Sequence, residues 1–490
     1  MTQTTITIQN NRTDEEIYVL LTAENMEEGK QPKHAIQLNK PTKLSKDTVV
    51  SFETIKAARL YVSVGPVSPA PKLDDDQYYG WIEFSKTEKA GTLWINLTNV
   101  DITGLPLALS GSENGKPFSL GTLLPMKAPK KDPQEHSLIG ALEKIFTKER
   151  PVKAKVHCKN GYIKVLSPIH APESYASFAP YIKRLCEANA PVSITSDAPT
   201  GTSAVTFKGH FTDPAKNKNN NVMELKDGNG NTIAIDDNNL TTKTLYQCAG
   251  GTYLYNGKPE PFNIPIKKGD PEKDLKKILN SVIRNILVGF NEGYFSENGP
   301  NDSEYFSGMK PFEHGGNQYA QVIHQYTNSY GFPYSDGNLK TLIQADATKT
   351  VTLHVLKDTQ TGYYQEYPVQ PSTGLYQFGI GGGSMTLGPI KINGFTYEPD
   401  DTGAYGGFLP YLPEWTKMEF TGKSEHQNHY IWIKNGDVIE GNCLTGHHIW
   451  VNGSKPPKHS NKAPKGYTDL AWGANLKWQS GATPPPPPHP

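Results

Sequence analysis

The chain has 490 residues, 36% of them hydrophobic and 10% aromatic, and its 49 Lys plus Arg balance 49 Asp plus Glu to a formal net charge of zero. That length asks for two or three packed units, and the cancelled charge excludes a general pull on nucleic acid or anionic membrane. Four cysteines (Cys158, Cys186, Cys248, Cys443) are too few for a disulfide framework and include no CxxC pair suited to zinc.

The 45 Gly, 39 Pro and 25 Tyr favour many short strands joined by turns. From residue 4 to about 125 the pattern is β: TTITIQ, EIYVLLTA, TVVSFE, ARLYVSVG, GWIEFS and TLWINLTNVDI, each bounded by turn residues. KAPKKDPQEH (127–136) is a polar connector, and Ser137 to Phe146 reads as a short helix with Leu138, Leu142 and Ile145 on one face. VKAKVH and YIKVLSP are strands. Pro172 to Ala190 is a second helix, with Tyr175, Phe178, Tyr181, Ile182 and Leu185 in period. Polar hairpins follow at KNKNNN (216–221) and DGNGN (227–231). Asp270 to Phe290 is the clearest helix, with Asp270 as cap and Pro271 in the first turn. Asn317 to Asn328 gives a further helix before the strand VTLHVL (351–356).

Beyond residue 357 Gly and aromatics dominate, no helix is expected, and the segment reads as an added all-β unit. The closing ATPPPPPHP is a polyproline spike. The opening MTQTTITIQNNRTDEE has no basic segment followed by an apolar run, and no stretch approaches the ~20 apolar residues of a membrane helix.

Three segments carry a family resemblance. QYYGWIEFSKTEKAGTLWINLTNVDITGLPLAL (77–109) resembles the part of glycoside hydrolase family 64 β-1,3-glucanases in which a Trp-x-Glu-Phe strand leads to an Asn-x-Thr/Ser-x-Val-Asp strand and a Gly-x-Pro-Leu turn. GGNQYAQVIHQYTNSYGFPYSDGN (315–338) is similar to that family's helix and Tyr-Gly-Phe-x-Tyr-Asp ending, and IRNILVGFNEGYF (283–295) to its preceding helix. The match spans residues 4–356; thaumatin-like proteins carry a looser version.

The resemblance implies a mainly β chain with an α/β part: a thaumatin-like β-sandwich or barrel domain and a mixed α/β domain flanking a wide groove. The expected boundaries are 1–166 for the β domain, with parts of 200–262 and 330–356 joining it, and 167–356 for the α/β domain. An additional β-rich module at 357–481 and the proline-rich tail at 482–490 complete the chain.

Glycoside hydrolysis needs two carboxyls facing one bond, an acid for the leaving oxygen and a base or nucleophile opposite. In GWIEFS the alternation puts Trp81, Glu83 and Ser85 on one face, away from Ile82 and Phe84. Asp101 closes the strand LWINLTNVD and can look into the same space if the SKTEKAG hairpin joins the two strands. The resemblance implies Glu83 as general acid and Asp101 as general base, with inversion. An acid kept protonated near neutrality asks for a drier seat than its partner, so Glu83 is expected to be the less exposed of the two. Both are expected on the largest groove, about 6.5–9.5 Å apart, the separation that admits a water. A shifted register would instead put Asn96 where the second carboxylate belongs.

Trp81, Asn96, Thr98, Tyr330, Phe332, Tyr334 and Asp336 are the expected substrate-binding residues, the last four as a groove wall able to stack on sugar rings. Asp74, Asp75 and Asp76 read as a solvated turn, and His324 as a packed histidine. The pair His447–His448 lacks the carboxylate and spacing of a metal site, and no metal or cofactor is implied.

Three functions compete: an endo-acting β-1,3-glucan hydrolase, a catalytically inactive glucan-binding protein of the same fold, and a toxin, effector or assembly component that uses the fold as a recognition scaffold. The implied partner is laminarin-type β-1,3-glucan, with the C-terminal module or proline tail as the place for a protein partner. Extracellular action is expected although no secretory leader is visible.

Overall fold

The computed structural model describes residues 3–360, apart from 33, 47, 89–90, 123–125, 128–136, 148–152, 200–202, 300, 310 and 336–340. Beyond these it describes the backbone of nine strands between 375 and 479. The chain divides into two compact units: one comprises residues 1–107, 111–116 and 126–359, the other 108–110, 117–125 and 360–490.

The first unit begins with two sheets built from alternating sequence. Thr4–Asn10 lies between Val49–Phe52, to which it is antiparallel, and Val351–Val355, to which it is parallel. Its alternate residues Thr4, Ile6 and Ile8 are buried, as period two requires. The second sheet runs in the order Ile343–Ala345, Leu93–Leu97, Tyr79–Lys86, Thr54–Val64, Ile17–Thr22, Thr42–Lys43. Phe52 of the first sheet meets Phe84 of the second at 5.6 Å between ring centroids, which joins their apolar faces. Ile102–Thr103, Ile163–Leu166 and Lys155–His157 make a small third sheet.

Between residues 191 and 302 the unit holds a seven-stranded sheet in the order Lys258–Pro261, Thr252–Tyr255, Thr232–Asp236, Asn221–Lys226, Thr206–Phe211, Pro191–Thr195, Asn301–Asp302, antiparallel except for the last pair. The strands of 206–261 pair with one another and with Pro191–Thr195, not with the N-terminal sheets. The pairing is sequential, each strand lying beside the next in the chain, although the helix Thr242–Gln247 stands between Thr232–Asp236 and Thr252–Tyr255.

Four of the described helices fall where apolar periodicity placed them, with shifted ends, while a fifth, Thr242–Gln247, capped by Thr241, went unread in the sequence. Leu138–Glu143 is capped by Ser137, whose hydroxyl accepts from the Gly140 amide. The expected helix 172–190 is a 3-10 turn, Pro172–Ser174, then Ala179–Glu187 with Pro180 in its first turn. Asp270 does not cap the long helix. That helix is Lys273–Asn291, and the Asp270 carboxylate instead accepts from the Glu272 amide and pairs with Lys276. Gln318–Tyr326 is capped by Asn317, which accepts from the Ala320 amide.

His354 is buried and His324 of that helix half-buried with its ring enclosed, and desolvation pushes both imidazoles down to about 3. The unfolded chain binds their protons near 6.5, so it holds more protons than the fold between about 3 and 6.5. Stability therefore falls as pH drops through that window. The urea midpoint is expected to fall steeply from pH 7 to pH 5, and His324→Phe to flatten the fall. Equal midpoints at the two pH values would contradict this.

The strands of the second unit form two sheets of their own, ordered Asn428–Lys434, Leu375–Gly381, His448–Val451, Thr468–Ala471 and Tyr405–Gly406, Phe395–Pro399, Ile390–Ile392, Val438–Gly441, Leu476–Gln479. Side chains here, including Trp415, Trp432, Trp450, Trp472 and His447–His448, lie outside the described residues, as does the proline tail. Among the described residues no helix is long and apolar enough to cross a membrane, and no cluster of His, Cys, Asp or Glu could hold a metal ion.

Candidate active site

Glu83 sits mid-strand in Tyr79–Lys86, between two neighbours whose register fixes what faces it. Arg59 lies opposite on one side and Asn96 on the other. Its apolar strand neighbours Ile82 and Phe84 are buried, so the Glu83 side chain faces the other way, as the alternation predicts. The Arg59 Nε donates to Glu83 Oε1 at 2.9 Å, and the guanidinium lies over the Trp81 ring, 5.6 Å from its centre. The Trp81 indole N–H points at the same Oε1, 3.4 Å away. Burial works against the Arg59 charge, and Glu83, Tyr61 and Asp101 together more than offset it, raising its pKa.

A pocket of about 310 Å³ opens here, lined by Arg59, Glu83, Ser85, Trp94, Asn96 and Leu342 among others. It is not the largest groove: a pocket of about 630 Å³ lies against the helix Ala179–Glu187, walled by Ile182, Cys186, Val222 and Leu240. Neither Glu83 nor Asp101 lines that pocket, whose rim also carries Lys183, Glu187, Asp213, Asp237 and Lys243.

Asp101 is not on a strand. The ladder ends at Leu97, because the backbone of Tyr330 inserts alongside: its amide donates to Leu97 O at 3.0 Å and its carbonyl accepts from Asn99 N at 2.8 Å. The chain bends, and Asp101 stands just before the short strand Ile102–Thr103. The bend is held by the Tyr319 hydroxyl, which donates to Asn99 O at 2.6 Å and so accepts from Thr103 Oγ1 at 2.8 Å. Ser167 N donates to Asp101 O at 2.9 Å, and His170 Nε2 meets Asp101 Oδ1 at 2.7 Å. The Asp101 charge acts on Arg59, Tyr79 and Tyr319. Glu83 and Asp101 are thus joined through the field of one guanidinium, although Asp101 does not line the Glu83 pocket.

The expected difference in dryness is reversed. The Glu83 side chain is 32% exposed and that of Asp101 21%, because Glu83 lies in an open pocket and Asp101 is tucked under the 167–171 turn.

The other expected residues separate. Trp81 is buried against Tyr61 and Tyr79. Asn96 and Thr98 are nearly buried, Asn96 directly across from Glu83 and Thr98 accepting from the Val100 amide. Tyr330 acts through its backbone, and Tyr334 lies under Arg284. Phe332, at 1% exposure and edge-on to His324, is core and is removed from the sugar-stacking wall. Asp336 lies outside the described residues. The acidic turn is tied up in ion pairs, Asp75 with Lys164 and Asp76 with Lys159. Three residues went unread in the sequence: Arg59, His170 and Trp94, a tryptophan 42% exposed beside Glu83. Alternation from Asn96 could have found Trp94; the other two depend on contacts distant in sequence.

A family model for β-1,3-glucanases, glycoside hydrolase 64, matches residues 30–355. The chain belongs to that family. Among solved structures the glycoside hydrolase 64 chain is similar to a laminaripentaose-producing β-1,3-glucanase in complex with laminaritetraose, at 16% identity and a TM-score of 0.47, covering 72% of this chain and 99% of that one. It is also similar to a β-1,3-glucanase domain from Clostridium beijerinckii (17% identity, TM-score 0.45, 72% and 98% covered). A third is the Paenibacillus barengoltzii laminaripentaose-producing enzyme complexed with laminarihexaose (14%, 0.41, 72% and 74%). No curated protein matches the chain.

Proposed function

We propose that this glycoside hydrolase 64 chain cleaves β-1,3-glucan internally and with inversion, Glu83 giving a proton to the leaving glycosidic oxygen and Asp101 taking one from the attacking water. The water oxygen then bonds to the anomeric carbon on the face opposite the departing sugar. The observation that supports this most is Glu83, paired with Arg59 in an open pocket, with Asp101 near enough for its charge to act on the same guanidinium. The exposed Trp94 beside Glu83 adds a ring face for a sugar. Proton donation by Glu83 asks the Arg59 ion pair to open as glucan enters, and the half-exposed guanidinium has solvent to move into. We read the architecture as thaumatin-like, with the groove between the N-terminal sheets and the α/β part, and the second unit as an all-β accessory module.

The test is to incubate the protein with soluble laminarin and follow products by chromatography and by NMR of the first-formed anomer. Mixed oligosaccharides carrying an α-anomeric end are expected. A β-anomeric first product would overturn inversion, glucose as sole product would overturn internal cleavage, and no product would overturn hydrolysis. Trp94→Ala is expected to raise KM about tenfold, ~1.4 kcal/mol of binding, with kcat unchanged. A wild-type KM would remove Trp94 from the sugar path.

A further inference from the structure

We propose that His170 is a positioning residue for Asp101, holding one carboxylate oxygen so that the other faces the attacking water; this rests on the reading of Asp101 as the base. Asp101 lies in a bend outside the ladder, so no strand neighbour fixes its side chain. The 167–171 turn supplies the missing support. Its first residue, Ser167, donates its amide to Asp101 O at 2.9 Å, and the Ser167 carbonyl accepts from the amides of His170 and Ala171, each at 3.0 Å. The turn thereby rides on the Asp101 backbone and carries the imidazole to Asp101 Oδ1 at 2.7 Å.

A carboxylate can only accept, so Nε2 carries the proton in this contact. Among the described residues Asp101 Oδ2 makes no hydrogen bond, and neither does His170 Nδ1. Among the described residues the imidazole's one polar contact is with Asp101, so none of them extends it into a longer proton relay. One oxygen is clamped and the other is left to water, which is the arrangement a base needs if its reach is to be constant from turnover to turnover.

The experiment compares His170→Phe, His170→Gln and Asp101→Asn in the full chain on laminarin. His170→Phe keeps a ring and loses the donor; it is expected to lower kcat about ten- to a hundredfold, the scale of a base misplaced by an ångström, with KM and glucan binding within about twofold. His170→Gln places an amide N–H near the same point and is expected to restore most of that loss. His170→Ala with added imidazole is the second route to the same readout should the phenylalanine disturb the turn, and imidazole is expected to raise its kcat. Wild-type kcat in His170→Phe, equal loss in the Phe and Gln variants, or a raised KM at unchanged kcat would each overturn the positioning role. Asp101→Asn separates the two ideas. If it is inactive while His170→Phe is normal, only the positioning role fails. If it retains activity, the base assignment itself fails.

Discussion

Glu83→Gln is expected to lower laminarin hydrolysis at least about a hundredfold while leaving glucan binding intact, the scale on which a general acid contributes. The amide keeps the shape of the side chain, so the strand Tyr79–Lys86 and its partners Arg59 and Asn96 have no reason to move. Its carbonyl oxygen can still accept from Arg59, in place of the Oε1 that the ion pair now uses. What it cannot do is surrender a proton to a glycosidic oxygen. Initial rates and laminari-oligosaccharide titration, run on the same preparation, separate the two effects. Loss of binding together with hydrolysis would mean that Glu83 organises the pocket rather than the reaction, and the inactive glucan-binding reading would take first place.

The second large effect is on stability. Arg12 is 1% exposed and pairs with Asp358 and Glu15, while its Nε donates to Leu356 O at 2.6 Å. Its guanidinium lies 5.6 Å from the centre of Tyr78 and 5.4 Å from that of Tyr162, two rings stacked at 4.5 Å. Burial alone would disfavour the charge, but Asp358, Tyr78 and Glu15 hold the guanidinium firmly protonated. Arg12→Ala strips the charge partner from a nearly buried Asp358, and breaking such a pair costs about 3–5 kcal/mol. Denaturant unfolding is expected to show a loss of that size, and Arg12→Leu combined with Asp358→Leu a smaller one, since no lone charge is then left inside. A cost under about 1 kcal/mol for Arg12→Ala would show that the pair is effectively solvated.

What was legible in the sequence was whatever a periodicity of two or 3.6 residues could carry. The burial alternation of Thr4–Asn10 and the outward turn of Glu83 follow from it directly. Four of the helices were found by their apolar faces, yet the long one begins at Lys273 because Asp270 spends its carboxylate on Glu272 N and Lys276. The site was harder, since its geometry depends on backbones far apart in the chain. Asp101 leaves the ladder because Tyr330, over two hundred residues away, bonds to Leu97 and Asn99. Arg59 faces Glu83 only after a bulge between Ile55 and Ala58, where Ala57 takes a left-handed φ of 48°. His170 reaches Asp101 across 69 residues and through a turn no local pattern announces.

The pairing of Thr4–Asn10 with Val351–Val355 orders events in time as well as in space. While the chain is being made, the first strand can find Val49–Phe52 early, but its other edge stays open until some 350 residues have followed. Leu93–Leu97 waits in its turn, for a shorter stretch of chain, for Ile343–Ala345. Such contacts are the slow kind, because loop closure over hundreds of residues precedes any gain from them. A nascent chain of this architecture therefore carries two apolar, unpaired strand edges through most of its synthesis, the condition in which strands join the wrong partner. The sheet that carries Glu83, and the sheet packed behind it, close only when the last strands of the first unit arrive.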